Sequence, residues 1–196
     1  LNNFVRVDME DSPVTQITLD LMRAARDQAP NVGIVIQSYL YRSAEDIAGL
    51  MKDGIPVRLC KGAYLEPASV AFPKKADVDS NYDRLVDALL QGSLAHGEPK
   101  VSADGRFPPI PGIASHDEKR VAYAKEAAAK LNLSNDALEF QMLNGIRRDL
   151  QENLVKEGYP VRVYVPYGTE WYPYFMRRLA ERPANVWFFI ATLFRR

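Results

Sequence analysis

The sequence predicts an α/β protein, six βα units of a (β/α)8 TIM-like barrel, with a parallel sheet covered by helices. Three observations carry this. Short, nearly continuous apolar segments alternate strictly with helical stretches. The 196 residues divide into six units of about 33 residues each, so that a full set of eight would need roughly 260. No G-x-G-x-x-G and no G-x-x-x-x-G-K-[ST] occurs in the chain, and a doubly wound sheet of six strands usually carries such a turn after its first strand. The length alone suits a doubly wound sheet, but the missing turn favours a barrel lacking two units at its start. No composition shift marks a boundary, so a single domain over residues 1–196 is expected.

Each element has its own signal. Phe4-Val5-Arg6-Val7-Asp8-Met9 reads as the first strand. Ser12-Pro13 then opens a helix to about residue 29, a capping hydroxyl followed by a proline whose missing N–H costs nothing there. Gly33-Ile34-Val35-Ile36-Gln37-Ser38-Tyr39 is the second strand, and Ser43 caps a helix over 44–51. Pro56-Val57-Arg58-Leu59-Cys60 is the third, with its helix at 79–94. Pro111-Gly112-Ile113-Ala114-Ser115-His116 is the fourth, followed by a helix at 117–131. Leu138-Glu139-Phe140-Gln141-Met142 is the fifth, with a helix at 145–156. Val161-Arg162-Val163-Tyr164-Val165-Pro166 is the sixth, with helical sequence at 170–181 and again after Pro183-Ala184-Asn185. The polar, Gly/Pro-rich piece 96–109 reads as a surface loop.

Composition excludes several classes. With 25 basic and 25 acidic residues the net charge is zero, so there is no electrostatic footprint for nucleic acid. Hydrophobic residues at 47% exclude intrinsic disorder. The single cysteine, Cys60, excludes a disulfide framework and suits a reducing, cytoplasmic setting. No signal-peptide pattern opens the chain, and the longest apolar run, nine residues at 186–194, falls far short of a membrane span.

Chemistry in parallel α/β proteins sits at the carboxyl ends of the strands. The residues read there are Asp8, Gln37, Arg58 with Lys61, His116, Glu139 with Gln141, and Tyr164. Singly each is bland: Asp8 could cap a helix, Gln37 could be a satisfied core amide, Tyr164 a core aromatic. Together they form a ring that a core does not need. A metal site is one competitor, using Asp8, Glu10, Asp11, His116, Asp117 and Glu139. Only two histidines exist, however, and Arg58 with Lys61 would repel a divalent ion, so an anionic ligand fits better. Cys60 reads as packing, alternating away from Arg58 and Lys61 or lying inside the strand. Arg177-Arg178 follows Trp171-Tyr172-Pro173-Tyr174. The pair is either a solvated helix face with Glu181 at i+4, or a guanidinium clamp for a carboxylate or phosphate.

These residues also carry a resemblance. Val5-Arg6-Val7-Asp8-Met9-Glu10-Asp11, Val57-Arg58-Leu59-Cys60-Lys61-Gly62-Ala63-Tyr64, Ala114-Ser115-His116-Asp117, Glu139-Phe140-Gln141-Met142-Leu143 and Arg177-Arg178-Leu179-Ala180-Glu181 resemble proline dehydrogenases, in the family's order and across the chain. The chain is similar to the monofunctional bacterial type from its third strand to its last helix. The resemblance implies a distorted barrel that binds FAD non-covalently and oxidises L-proline to 1-pyrroline-5-carboxylate by hydride transfer to flavin N5. It implies Asp8 and Arg58 as active-site residues, and Met9, Gln37, Arg58, Lys61, Gly62, Ala63, Ser115 and His116 as FAD contacts. It implies Arg177 and Arg178 on the proline carboxylate, Tyr64, Leu143 and Tyr164 as pocket walls, and Glu181 as an acid ordering that cluster. A quinone-type electron acceptor, with peripheral association at the inner face of the membrane, is implied as well. Two departures stand out: Ser115 replaces a frequent threonine, and the earlier strand bearing the family's active-site lysine is missing. An N-terminal barrel segment is therefore expected to complete the fold. Without the resemblance, a metal-dependent barrel lyase or aldolase and a non-catalytic truncated barrel remain open.

Overall fold

Strand side chains alternate between two faces, and this chain gives the two faces different chemistry. In the computed structural model, which describes residues 2–169, the strands are Val5–Val7 (β1), Val32–Gln37 (β2), Val57–Cys60 (β3), Pro111–Ala114 (β4), Glu139–Leu143 (β5) and Val161–Tyr164 (β6). They form one sheet in the order β1-β2-β3-β4-β5-β6, with every neighbouring pair parallel. A doubly wound sheet reverses its strand order at a switch point; this sheet never does, so the barrel reading holds. Among the described residues β1 and β6 are the sheet's two edges. The chain divides into two units, Leu1–Tyr164 and Val165–Arg196, and the sheet belongs to the first. The helical readings at 170–181 and after residue 185, with Arg177, Arg178 and Glu181, lie outside the described residues.

The helices are Thr15–Gln28 (α1, preceded by a 3-10 turn at Ser12–Val14), Ser43–Lys52 (α2), Lys75–Ala95 (α3), Glu118–Lys130 (α4) and Arg148–Lys156 (α5). One core joins them to one face of the sheet: Ile34, Ile36, Val57, Leu59, Ile113, Phe140 and Met142 from the strands, with Met22, Ile47, Leu50, Leu85, Leu89, Ala124 and Leu154 from the helices. Phe140 meets Tyr159 edge-on at 5.2 Å, and the buried Tyr82 hydroxyl donates to the Leu59 carbonyl at 3.1 Å. Residues 96–110, between α3 and β4, form no helix or strand.

Local expectations fail where a distant partner intervenes. Ser12 is no helix cap: both its N–H and its hydroxyl donate to Glu66, at 2.6 Å each, and Asp11 holds the N-cap position. Ser43 lies inside α2, its hydroxyl donating to the Leu40 carbonyl and accepting from buried Asn81. Asp117, read as the first helical residue, is the N-cap of α4 and accepts from the Lys119 N–H at 3.0 Å. Helix α3 begins four residues before its expected start at residue 79, and Lys75 and Asp79 pair across its first turn.

Candidate active site

The face of the sheet turned away from the helical core carries the polar strand residues. In register, Arg6 lies beside Gly33, Arg58 beside Val35 and Gly112, Gly112 beside Glu139, Gln141 beside Ala114 and Arg162. Here Glu139 is not at a strand's carboxyl end, as the sequence reading had it. It opens β5, 2% exposed, and takes a bidentate ion pair from Arg162, with Nε and Nη2 each at 2.8 Å. Arg162 also donates to the Gly105 carbonyl at 2.8 Å. Gln141 donates its amide N–H to Glu139 at 2.6 Å and accepts from Arg58 Nε.

Arg58 is the hub. Besides Gln141 it has Asp8 at 3.9 Å and the Tyr164 ring at 5.5 Å. Asp8, just past the end of β1, thus faces Arg58 of β3, and with Tyr164 of β6 and Gln141 of β5 it puts four sequence-predicted site residues in one cluster. Burial first, then Arg58, lowers the Arg6 guanidinium to about 9, although Glu139 and Asp8 oppose this. Arg6 donates to the carbonyls of Ile34 and Pro56. Cys60 lies inside β3 and packs against the core, as the sequence suggests, but it does not alternate away from Arg58: two residues on, it shares that face. Burial, then Asp8, pushes its thiol up to about 12, away from the thiolate form that a nucleophile uses.

Around the strand ends the remaining predicted residues are held one by one. Gln37 donates to the Glu10 carbonyl at 2.7 Å, beside buried Met9. His116 Nε2 accepts from the Leu143 N–H at 2.9 Å. Ser115 accepts from the Asp117 N–H at 3.1 Å. Tyr64 donates to the Glu10 carboxylate, fastening the loop after β3 to the loop after β1. The ammonium of Lys61 turns toward the helix ends, donating to Asp79 at 2.5 Å and Asp117 at 2.7 Å. Burial raises both aspartates, but Lys61 outweighs it, with Lys75 adding to the effect, and holds both below the usual carboxylate range.

The donors of the metal competitor pair with different side chains. Glu139 pairs with Arg162, Asp117 with Lys61 and Glu10 with Tyr64, while Asp8 stands 3.9 Å from Arg58. Among the described residues no three His, Cys, Asp or Glu side chains converge on a common point. The sequence reading passed over Arg6 and Arg162. The available signal was a repeated one: Val5-Arg6-Val7 and Val161-Arg162-Val163 carry the same apolar-flanked arginine as Val57-Arg58-Leu59.

Gly62 fixes the turn that leaves β3. Its φ is +115°, and a Cβ there would lie 2.4 Å from the Tyr39 ring. Gly62→Ala should therefore cost about 1–3 kcal/mol through strain and overlap. A urea midpoint equal to the parent's would refute this.

The proline dehydrogenase family profile matches residues 1–190. Proline dehydrogenase 2 of Bacillus subtilis (strain 168) is 45% identical over 185 residues, 94% of this chain and 56% of that protein. Proline dehydrogenase of Deinococcus radiodurans is 46% identical over 189 residues, 95% and 56%. Among solved structures, proline utilization A from Bdellovibrio bacteriovorus, inactivated by N-propargylglycine, superposes with a TM-score of 0.75 at 34% identity. That match covers 90% of this chain and 19% of the other. The chain thus spans about half the length of the curated relatives it matches. Its sequential parallel sheet is the proline dehydrogenase fold, part of a (β/α)8 barrel, and the chain belongs to the proline dehydrogenase family.

Proposed function

We propose that this chain carries most of the active site of an FAD-dependent enzyme that oxidises L-proline to 1-pyrroline-5-carboxylate. The observation that carries the reading is the Arg58 cluster: a permanent cation, backed by Gln141, Asp8 and Tyr164, on the polar face of a family-typical sheet. The donor set fits a flavin. Arg58 offers a planar guanidinium with a fixed Nε, and Gln37, Ser115 and His116 lie at the ends of neighbouring strands. These residues, with Met9 and the main chain of Lys61-Gly62-Ala63, would hold FAD; the Lys61 ammonium is already neutralised by two aspartates.

FAD, when bound, accepts the hydride that leaves the proline ring carbon beside nitrogen. The protein's part is positional and electrostatic. Arg58 stabilises negative charge developing beside it without reorganisation. Arg177 and Arg178 take the proline carboxylate bidentately, and Tyr64, Leu143 and Tyr164 wall the ring, which turns binding into orientation. Glu181 orders the arginine pair. Asp8 stands beside Arg58 as a counter-charge rather than acting as a base.

A quinone-type acceptor, reached by peripheral membrane association, completes the proposed cycle; among the described residues no helix is long and apolar enough to cross a membrane. A further N-terminal barrel segment is proposed to complete the sheet.

The test is optical. The purified protein, supplied with FAD, should show flavin absorbance that proline bleaches without oxygen, and N-propargylglycine should block that bleaching irreversibly. A protein that takes up flavin which proline leaves oxidised overturns the substrate. One that takes up no flavin under any supply overturns the cofactor and favours a binding module.

A further inference from the structure

We propose that Glu139 and Gln141 are positioning residues for Arg58, linked in a directional relay that runs Arg162–Glu139–Gln141–Arg58 across three strands. The proposal deepens the reading above and rests on it for the role of Arg58.

The relay's direction follows from donor and acceptor chemistry. An ionised carboxylate only accepts and a guanidinium only donates. The Gln141 amide lies between one of each, so its NH2 must face Glu139 and its oxygen must face Arg58. Neither half can turn over without setting donor against donor and acceptor against acceptor. Arg162 holds Glu139 by its two-pronged pair, and Glu139 in turn fixes the amide. Both middle members are almost wholly buried, at 2% and 4% exposed, so water offers no replacement partner.

The path exists because of a missing side chain. Gln141 stands on β5 and Arg58 on β3, with β4 between them. The β4 residue in register with Arg58 is Gly112. A Cβ at Gly112 would lie 2.8 Å from Gln141 Nε2 and 3.0 Å from the Val57 carbonyl. Its φ is not in the left-handed region, so the backbone does not demand glycine there. The space does: glycine leaves the gap through which the amide crosses β4.

The relay settles the orientation of Arg58. Contact with the Tyr164 ring and a 3.9 Å approach to Asp8 leave the guanidinium free to rotate about its stem. A hydrogen bond at Nε, which lies in the guanidinium plane, fixes that plane and so aims the Nη donors.

The experiment uses Gln141→Leu, which removes the amide, and Gly112→Ala, which displaces it while keeping every polar group. Arg58→Met is the reference. In cofactor-free protein, the Arg58 Nε–H resonance should be sharp and slow to exchange in the parent. In both relay variants it should broaden and exchange faster. In the FAD-loaded protein, proline-driven flavin reduction should slow about tenfold in Gln141→Leu, the worth of one hydrogen bond to a charged group. The proline KM should stay within about twofold of the parent, since the relay does not touch substrate. An Nε–H signal unchanged in both variants overturns the relay, whatever the kinetics. A changed Nε–H signal with flavin reduction intact in the relay variants but slow in Arg58→Met overturns the positioning role. If Arg58→Met also reduces normally, the reading of Arg58 falls, and the relay survives only as an orienting device seen by resonance.

Discussion

Arg178→Met is expected to lower kcat/KM for proline about 30- to 1000-fold, the equivalent of roughly 2–4 kcal/mol. Methionine keeps the length and apolar stem of arginine and removes the planar fork, so the change isolates carboxylate recognition from packing. Arg177→Met should behave similarly. FAD content should barely change, because the pair is assigned to substrate and the cofactor to residues of the preceding strands. Steady-state kinetics with proline, alongside the flavin-to-protein absorbance ratio, separates the two effects. Unchanged proline kinetics in both variants would remove the clamp from the mechanism.

Arg162→Met should destabilise the fold by about 3 kcal/mol. The change strands Glu139, a carboxylate 2% exposed, after taking away both hydrogen bonds of its bidentate partner. Breaking one side of a buried pair is costly because the remaining charge keeps its desolvation penalty and loses its compensation. Removing the charge as well should therefore recover stability: Glu139→Leu combined with Arg162→Met should be more stable than Arg162→Met alone. Urea denaturation of the parent, both single variants and the pair gives the coupling directly. A single Arg162→Met variant as stable as the parent would show that the pair is solvated and structurally idle.

The architecture was legible because the helix-facing side of each strand is unbroken. Ile34 and Ile36, Val57 and Leu59, Phe140 and Met142 announce a buried strand face whatever lies between them. The other face was read only in part. Arg58 stands out because Lys61 and a family motif follow it, while Arg6 and Arg162, in the same apolar-arginine-apolar setting, have no such neighbour to single them out. Glu139 was assigned to the rim because chemistry gathers there; its place at the start of β5, one layer with Arg58, is set by sheet register, which no single strand reveals. The caps failed for a related reason. A serine ahead of a helix signals a cap by local geometry, yet the Ser12 hydroxyl found the carboxylate of Glu66, 54 residues away. Lys61 was expected to reach toward a cofactor, and two aspartates at helix starts claim it instead.

The fastening between the loops after β1 and β3 sets how that side of the molecule breathes. Glu66 holds the Ser12 amide and hydroxyl, and Glu10 holds the Tyr64 hydroxyl. Each loop thus lends the other a carboxylate, and neither can swing away without releasing both. Thermal opening there is a joint event, with one shared free energy rather than two independent ones. The deuterium uptake of the Ser12 amide is consequently a clock for a loop more than fifty residues further along the chain.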